Sequence, residues 1–105
     1  MTPESKIKQK IRAVLATYQE HGVYYFMPVP GGFGRSSLDY LGFLMGHGFA
    51  IEAKREGGEP TNRQKAEIAR IERSHTPVFV ISDVASLTEF NEWCQSIVNR
   101  SVSNG

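Results

Sequence analysis

The 105-residue chain has little of what marks secreted, membrane or zinc-cluster proteins. Its single cysteine, Cys94, cannot form an internal disulfide, and one thiol cannot build a cysteine-cluster zinc site. No apolar run approaches the roughly 20 residues that span a bilayer. The polar start, Met1 to Lys10, does not have the form of a secretory signal. We therefore expect a reduced, cytoplasmic compartment and no membrane partner.

An excess of positive charge is also missing, because 12 Lys and Arg face 11 Asp and Glu for a net charge of +1. Nucleic-acid-binding domains are often far more basic, so any contact with DNA must be local or shared between subunits. The hydrophobic share of 40% and the charged share of 22% are ordinary for a globular protein. The length suits one domain, predicted over residues 1–98, with a flexible polar tail over 99–105.

The spacing of apolar residues predicts an α/β fold in which helices flank a mixed central sheet, in the order αβββαβα. Thr2 is expected to cap the first helix, and Ser86 with Glu89 forms an expected capping box for the last. The wholly apolar run Val78–Ile81 is typical of a central strand. The predicted elements are a helix over Pro3–Glu20, strands over Val23–Met27, Asp39–Met45 and Phe49–Lys54, a helix over Thr61–Ser74, a strand over Val78–Ile81 and a helix from Ser86.

Two carboxylates are expected to meet at the end of a hairpin whose turn is predicted at Gly46–Gly48. Asp39 at the start of the second strand lies in plausible lateral register with Glu52 near the end of the third. Side chains alternate along a strand, so Glu52 and Lys54 share one face. Two adjacent carboxylates stay ionised together when a hard divalent cation sits between them, and Mg²⁺ prefers oxygen ligands. The alternative is a solvated strand face with a surface ion pair.

Three further features have two interpretations each. Glu4 falls near the core-facing stripe of the first helix, where it is either a third ligand or a charge that favours the helix dipole. Gln64 either completes a capping box with Thr61 or points its amide at the sheet. The run Tyr24–Phe26 is expected in the core rather than as a base-stacking surface.

The order Glu4, Asp39, Glu52-Ala53-Lys54, Gln64 resembles the PD-(D/E)XK nuclease superfamily, and most of all its VRR-NUC branch. The likeness covers an early helical glutamate, a Gly-rich stretch before the aspartate, an E-x-K triplet followed by a Gly-containing loop, and a glutamine that opens the next helix. One departure is Leu38, where the family usually has proline before the aspartate. We expect a locally altered start of the strand rather than lost chemistry.

The resemblance implies a restriction-endonuclease-like core and a metal-dependent DNA endonuclease. Asp39 and Glu52, helped by the Ala53 carbonyl and Glu4, would bind Mg²⁺ or Mn²⁺. Lys54 would hold or deprotonate the attacking water, and Gln64 would orient that water or Lys54. Stand-alone relatives look like homodimers that act on branched DNA such as Holliday junctions or flaps. This suggests a bacterial cell or a phage-infected host.

Phosphate contacts are expected from residues that flank this site in sequence, because such contacts are sequence-blind and use basic or hydroxyl side chains. The Gly-rich loop, Pro28–Ser37, lacks the Lys-Ser or Lys-Thr ending of a nucleotide-binding loop, so no nucleotide cofactor is expected. The alternatives to a nuclease are a catalytically weak or inactive nucleic-acid-binding module of the same fold, and a plain structural domain. The predicted DNA contacts are Arg35, Ser36, Arg55, Arg63 and Lys65.

Overall fold

The structure, a computed structural model, describes residues 2–28 and 38–104, with side chains described as far as residue 101. Within these ranges, three α-helices and a four-stranded mixed sheet form an α/β fold. The predicted order of elements is confirmed. The elements are α1 (Pro3–Thr17), a 3₁₀ turn (Gln19–His21), β1 (Val23–Phe26), β2 (Tyr40–Leu44), β3 (His47–Ala53), α2 (Asn62–Arg73), β4 (Val78–Ile81) and α3 (Val84–Asn104).

Helix α1 begins as predicted, because the Thr2 side chain accepts a hydrogen bond from the Ser5 N–H and Pro3 occupies the first turn. Its apolar stripe is buried at Ile11 and Leu15. The helix ends three residues earlier than predicted, at Thr17. The 3₁₀ turn that follows leads to Gly22, whose φ of 86° is the left-handed conformation that glycine adopts without strain.

The sheet has the order β1-β2-β3-β4, with antiparallel pairs between the first three strands and a parallel pair between β3 and β4. The prediction that Val78–Ile81 is a central strand is wrong, since β4 lies at the edge of the described sheet. Its apolar character has another cause. Contacts with α3 and with α2 cover the strand, so an edge strand here is as apolar as a central one.

The hairpin turn starts one residue earlier than predicted and has two residues instead of three, and this decides the register. The turn residues are Met45 and Gly46, with φ of 51° and 84°, the pair of positive values that a two-residue type I′ turn requires. Leu44 therefore pairs with His47, and Tyr40 pairs with Ile51. A turn centred on His47 would have shifted the pairing by three residues.

Helix α3 begins at Val84, and its cap is Asp83 rather than Ser86. The Asp83 carboxylate accepts the Ser86 N–H at 2.8 Å, and the Ser86 hydroxyl accepts the Asp83 N–H at 3.2 Å. The predicted capping box of Ser86 with Glu89 is therefore replaced by a capping box of Asp83 with Ser86, one turn earlier. At the other end, helical backbone continues to Asn104, so the tail predicted from Asn99 is helical.

The core lies between α1, α3 and one face of the sheet, where Phe49, Ile51 and Ala53 are buried together. Phe90 and Cys94 of α3 complete it as predicted. On the opposite face, which carries Glu52, α2 packs against β4. The prediction of a buried Tyr24–Phe26 run is wrong at both of its ends. Tyr25 packs against the core, whereas Tyr24 and Phe26 are exposed.

Candidate metal centre

Three carboxylates converge at the end of the hairpin. Because Tyr40 pairs with Ile51, the next positions outward are Asp39 and Glu52, which lie side by side. Glu4 reaches them from the first turn of α1. One carboxylate oxygen from each residue lies within 4.8 Å of the other two. The structure thus brings together the three acidic residues that the sequence singled out.

The Glu52 side chain is buried rather than solvated. Only 2% of the residue is exposed. Its Oε1 accepts a hydrogen bond from Gln64 Nε2 at 2.9 Å and lies 3.6 Å from Lys54 Nζ. Its Oε2 is buried and has no hydrogen-bond donor among the described residues. The interpretation as a solvated strand face is therefore wrong, since an unpartnered buried carboxylate oxygen is costly unless something else binds it.

Burial and the neighbouring charges perturb the protonation of Glu52. Desolvation first, and then the negative charge of Asp39, raise the pKa of Glu52 from 4.5 to about 7, while the Lys54 amine acts to lower it. Two carboxylates that share a site in this way resist being charged together. A divalent cation relieves this conflict because it stabilises both anions at once.

Asp39 is fixed by two partners. Its Oδ2 accepts the Ala53 N–H at 2.8 Å, which ties the start of β2 to the end of β3. Its Oδ1 lies 3.3 Å from Lys8 Nζ. Sequence reasoning missed Lys8, although a signal was present. Lys8 follows Glu4 by four residues, the spacing that places two side chains on one helical face.

Gln64 fits both of its interpretations at once. Its Oε1 accepts the Thr61 N–H at 2.9 Å, and its backbone N–H donates to the Thr61 hydroxyl at 3.2 Å, which completes a capping box for α2. Its Nε2 donates to Glu52. The same amide therefore begins the helix and holds the buried carboxylate. The hydrogen bond to Glu52 makes Gln64 a positioning residue for that carboxylate, rather than one seen to orient Lys54 or a water.

The residues present fit a hard cation. All the donors of the cluster are oxygens, and Glu52 has a buried oxygen, Oε2, without a hydrogen-bond partner among the described residues. Lys8 also supplies a positive charge to Asp39, with its Nζ 3.3 Å from Oδ1. The Ala53 backbone contributes its N–H to this site through Asp39, and a role for its carbonyl stays a prediction.

The predicted DNA contacts are only partly within the described ranges. Arg35 and Ser36 fall in residues 29–37, outside them, together with most of the predicted Gly-rich loop. Arg55 follows Lys54 directly, and its side chain is exposed. Arg63 and Lys65 flank Gln64 in the first turn of α2 and are exposed as well.

Leu38, which stands where the resembled family has proline, is buried next to Asp39. No protein-family model matches the chain, and no curated protein matches its sequence. No helix in the described ranges has both the length and the apolar character needed to cross a bilayer.

Proposed function

We propose that this protein is a Mg²⁺- or Mn²⁺-dependent endonuclease that hydrolyses phosphodiester bonds in DNA. The observation that carries the proposal is the convergence of the Glu4, Asp39 and Glu52 carboxylates, together with a buried, unpartnered oxygen on Glu52 and the Lys54 amine 3.6 Å from its other oxygen. Oxygen donors and an adjacent cationic side chain are what hydrolysis of a phosphate ester needs. The resemblance to VRR-NUC nucleases supports the same conclusion from the order of the residues along the chain.

Each residue has a distinct task in this proposal. Asp39 and Glu52 hold the cation, with Glu4 as a third ligand. When bound, the cation polarises a phosphoryl oxygen and lowers the pKa of a bound water. Lys54 carries its charge where negative charge develops on the phosphate, and it holds the attacking water. Its side chain is only 15% exposed, so this charge is weakly screened by solvent.

The remaining residues position these groups or hold the substrate. Gln64 orients Glu52 through the hydrogen bond from its amide to Oε1, which would leave Oε2 available as a ligand. Arg55, Arg63 and Lys65 contact phosphates on either side of the scissile bond without reading sequence. From the resemblance, we extend the proposal to branched DNA and to a homodimer with two active sites.

A cleavage assay with Mg²⁺ or Mn²⁺ tests the proposal on plasmid, single-stranded, flap and four-way-junction DNA. The variants are Asp39→Asn, Glu52→Gln and Lys54→Met, each close in shape to the original side chain. The exposed Glu89→Gln on α3 is the matched control. We expect each site variant to lose at least about a hundred-fold in rate and the control to lose nothing.

Cleavage that survives all three site changes would contradict the assignment. A wild-type protein that binds DNA but cuts none of the four substrates would instead support the inactive binding module. Isothermal titration of Mn²⁺ separates these cases further. The proposal requires a Mn²⁺ site that depends on Asp39 and Glu52.

A further inference from the structure

Three aromatic side chains stand exposed on the sheet face that carries Glu52. Tyr24 is 68% exposed, Phe26 48% and Phe43 55%, and we call these three residues the aromatic strip. Tyr24 and Phe43 are directly paired across β1 and β2, and Phe26 is paired with Leu41. Contiguous apolar surface of this kind marks a binding surface more often than scattered exposed residues do.

A groove separates the aromatic strip from the end of α2. Its volume is about 310 Å³, and Phe26, Phe43, Ile71 and Thr76 form its walls. Gly48 lies at its floor, where a Cβ would stand 3.6 Å from both the Phe43 ring and the Thr76 methyl group. Because residue 48 is glycine, it places no side chain in the groove beside the ring and the methyl group.

The groove and the acidic cluster lie on one face of the sheet. Leu41 follows Asp39 by two residues along β2, which corresponds to about 7 Å. Gly48 precedes Glu52 by four residues along β3, which corresponds to about 13 Å. If one base of a nucleic-acid strand lies in the groove, a phosphate only a few nucleotides further along the strand can reach the acidic cluster.

We infer that the aromatic strip and its groove bind unpaired nucleobases, so that the substrate carries a single-stranded segment next to the bond that is cut. This inference rests on the proposed function. Aromatic rings stack on every base regardless of sequence, and they contribute affinity that a net charge of +1 cannot supply alone. A second protein copy on this face would also cover the approach to Asp39 and Glu52, whereas a nucleic-acid strand covers the rings and brings its phosphate to the cluster.

The test is fluorescence anisotropy of a labelled oligothymidylate, with Ca²⁺ in place of Mg²⁺, beside an abasic strand of equal length. Phe43→Leu and Tyr24→Leu remove a ring but keep an apolar side chain. Phe43→Tyr and Tyr24→Phe keep the ring and are the matched controls. We expect the leucine variants to bind the oligothymidylate roughly ten-fold more weakly and the abasic strand unchanged. The ring-keeping variants should bind both strands as the wild type does.

Equal affinity of the wild type for the two strands, or leucine variants that bind the oligothymidylate normally, would overturn the inference. Sedimentation of the same variants tests whether a second copy of the protein binds the aromatic strip instead. A leucine variant that loses a dimer but keeps its strand affinity would assign the aromatic strip to a second copy. Binding in Ca²⁺ requires no cleavage. Ring-dependent binding by a protein that never cuts DNA would therefore contradict the proposed function alone, and cleavage with ring-independent binding would contradict this inference alone.

Discussion

Replacing Glu52 with glutamine should stabilise the metal-free protein at alkaline pH. The folded state keeps the Glu52 proton up to about pH 7, whereas the unfolded chain releases it near the usual pKa of 4.5. Between these values the folded state binds more protons, so the free energy of unfolding falls as the pH rises. At about 1.4 kcal/mol per pKa unit, the full loss by pH 8 is about 3 kcal/mol.

Glutamine keeps the shape of the side chain and cannot ionise. Its carbonyl oxygen can accept the hydrogen bond from Gln64, and its amide can donate to Asp39 as a protonated glutamic acid would. Without metal, the two proteins should therefore have similar stability near pH 4.5, and Glu52→Gln should be more stable by about 3 kcal/mol at pH 8. Added Mn²⁺ should stabilise the wild type at pH 8 and leave the variant unchanged, since binding to the folded state alone raises stability.

Urea unfolding measures both effects, with Trp93 as the reporter because its ring packs among Phe49, Phe79 and Phe90. Glu89→Gln serves as the control, since its side chain is exposed. A Glu52→Gln protein that is less stable than the wild type at pH 8 without metal would refute the reasoning. Equal stabilisation of both proteins by Mn²⁺ would refute the assignment of Glu52 as a ligand.

Four further substitutions test two side chains next to the site and two glycines of the sheet. Lys8→Met removes the charge 3.3 Å from Asp39 and should raise the affinity for Mn²⁺ about five-fold in calorimetry. Weaker Mn²⁺ binding by this variant would contradict the idea that Lys8 competes with the cation. Gln64→Glu keeps the acceptor for the Thr61 N–H but puts a negative charge beside Glu52. Its loss of stability should be larger at pH 8 than at pH 5 in urea unfolding, and a loss independent of pH would show that only the helix cap matters. Gly42→Ala would place a Cβ 2.4 Å from a backbone oxygen and should lower the free energy of unfolding by at least about 2 kcal/mol, whereas Gly48→Ala meets only ordinary contacts and should be nearly neutral.

Local rules predicted the helices well because each of their signals lies within a few residues. The cap at Thr2 and the stripe through Ile11 and Leu15 appear as expected, and the capping box at Thr61 was one of the two interpretations of Gln64. The last helix shows the limit of such rules. The capping pattern predicted a start at Ser86, whereas the structure begins the helix at Val84 with Asp83 as its cap, and the helical backbone continues to Asn104. More than one capping pattern can occur within a single turn, so residue types alone did not locate the start.

The register of the hairpin was less predictable because it depends on a single turn. A turn at Met45–Gly46 requires positive φ at a methionine, which residue preferences disfavour. The predicted pairing of Asp39 with Glu52 nonetheless agrees with the structure, since both side chains leave the sheet on one face. A slip by one residue would have sent one of them to the other face.

The sequence by itself determined the order of the elements, the alternation of core and polar positions, and the set of acidic residues able to meet, because these depend on local spacing and residue chemistry. Only the tertiary structure decided that Glu52 is buried with one oxygen unpartnered, that Lys8 pairs with Asp39, and that α2 leaves Tyr24 and Phe26 uncovered. Each of these depends on where distant segments pack. Burial is set by what lies opposite a residue, which its neighbours along the chain do not specify.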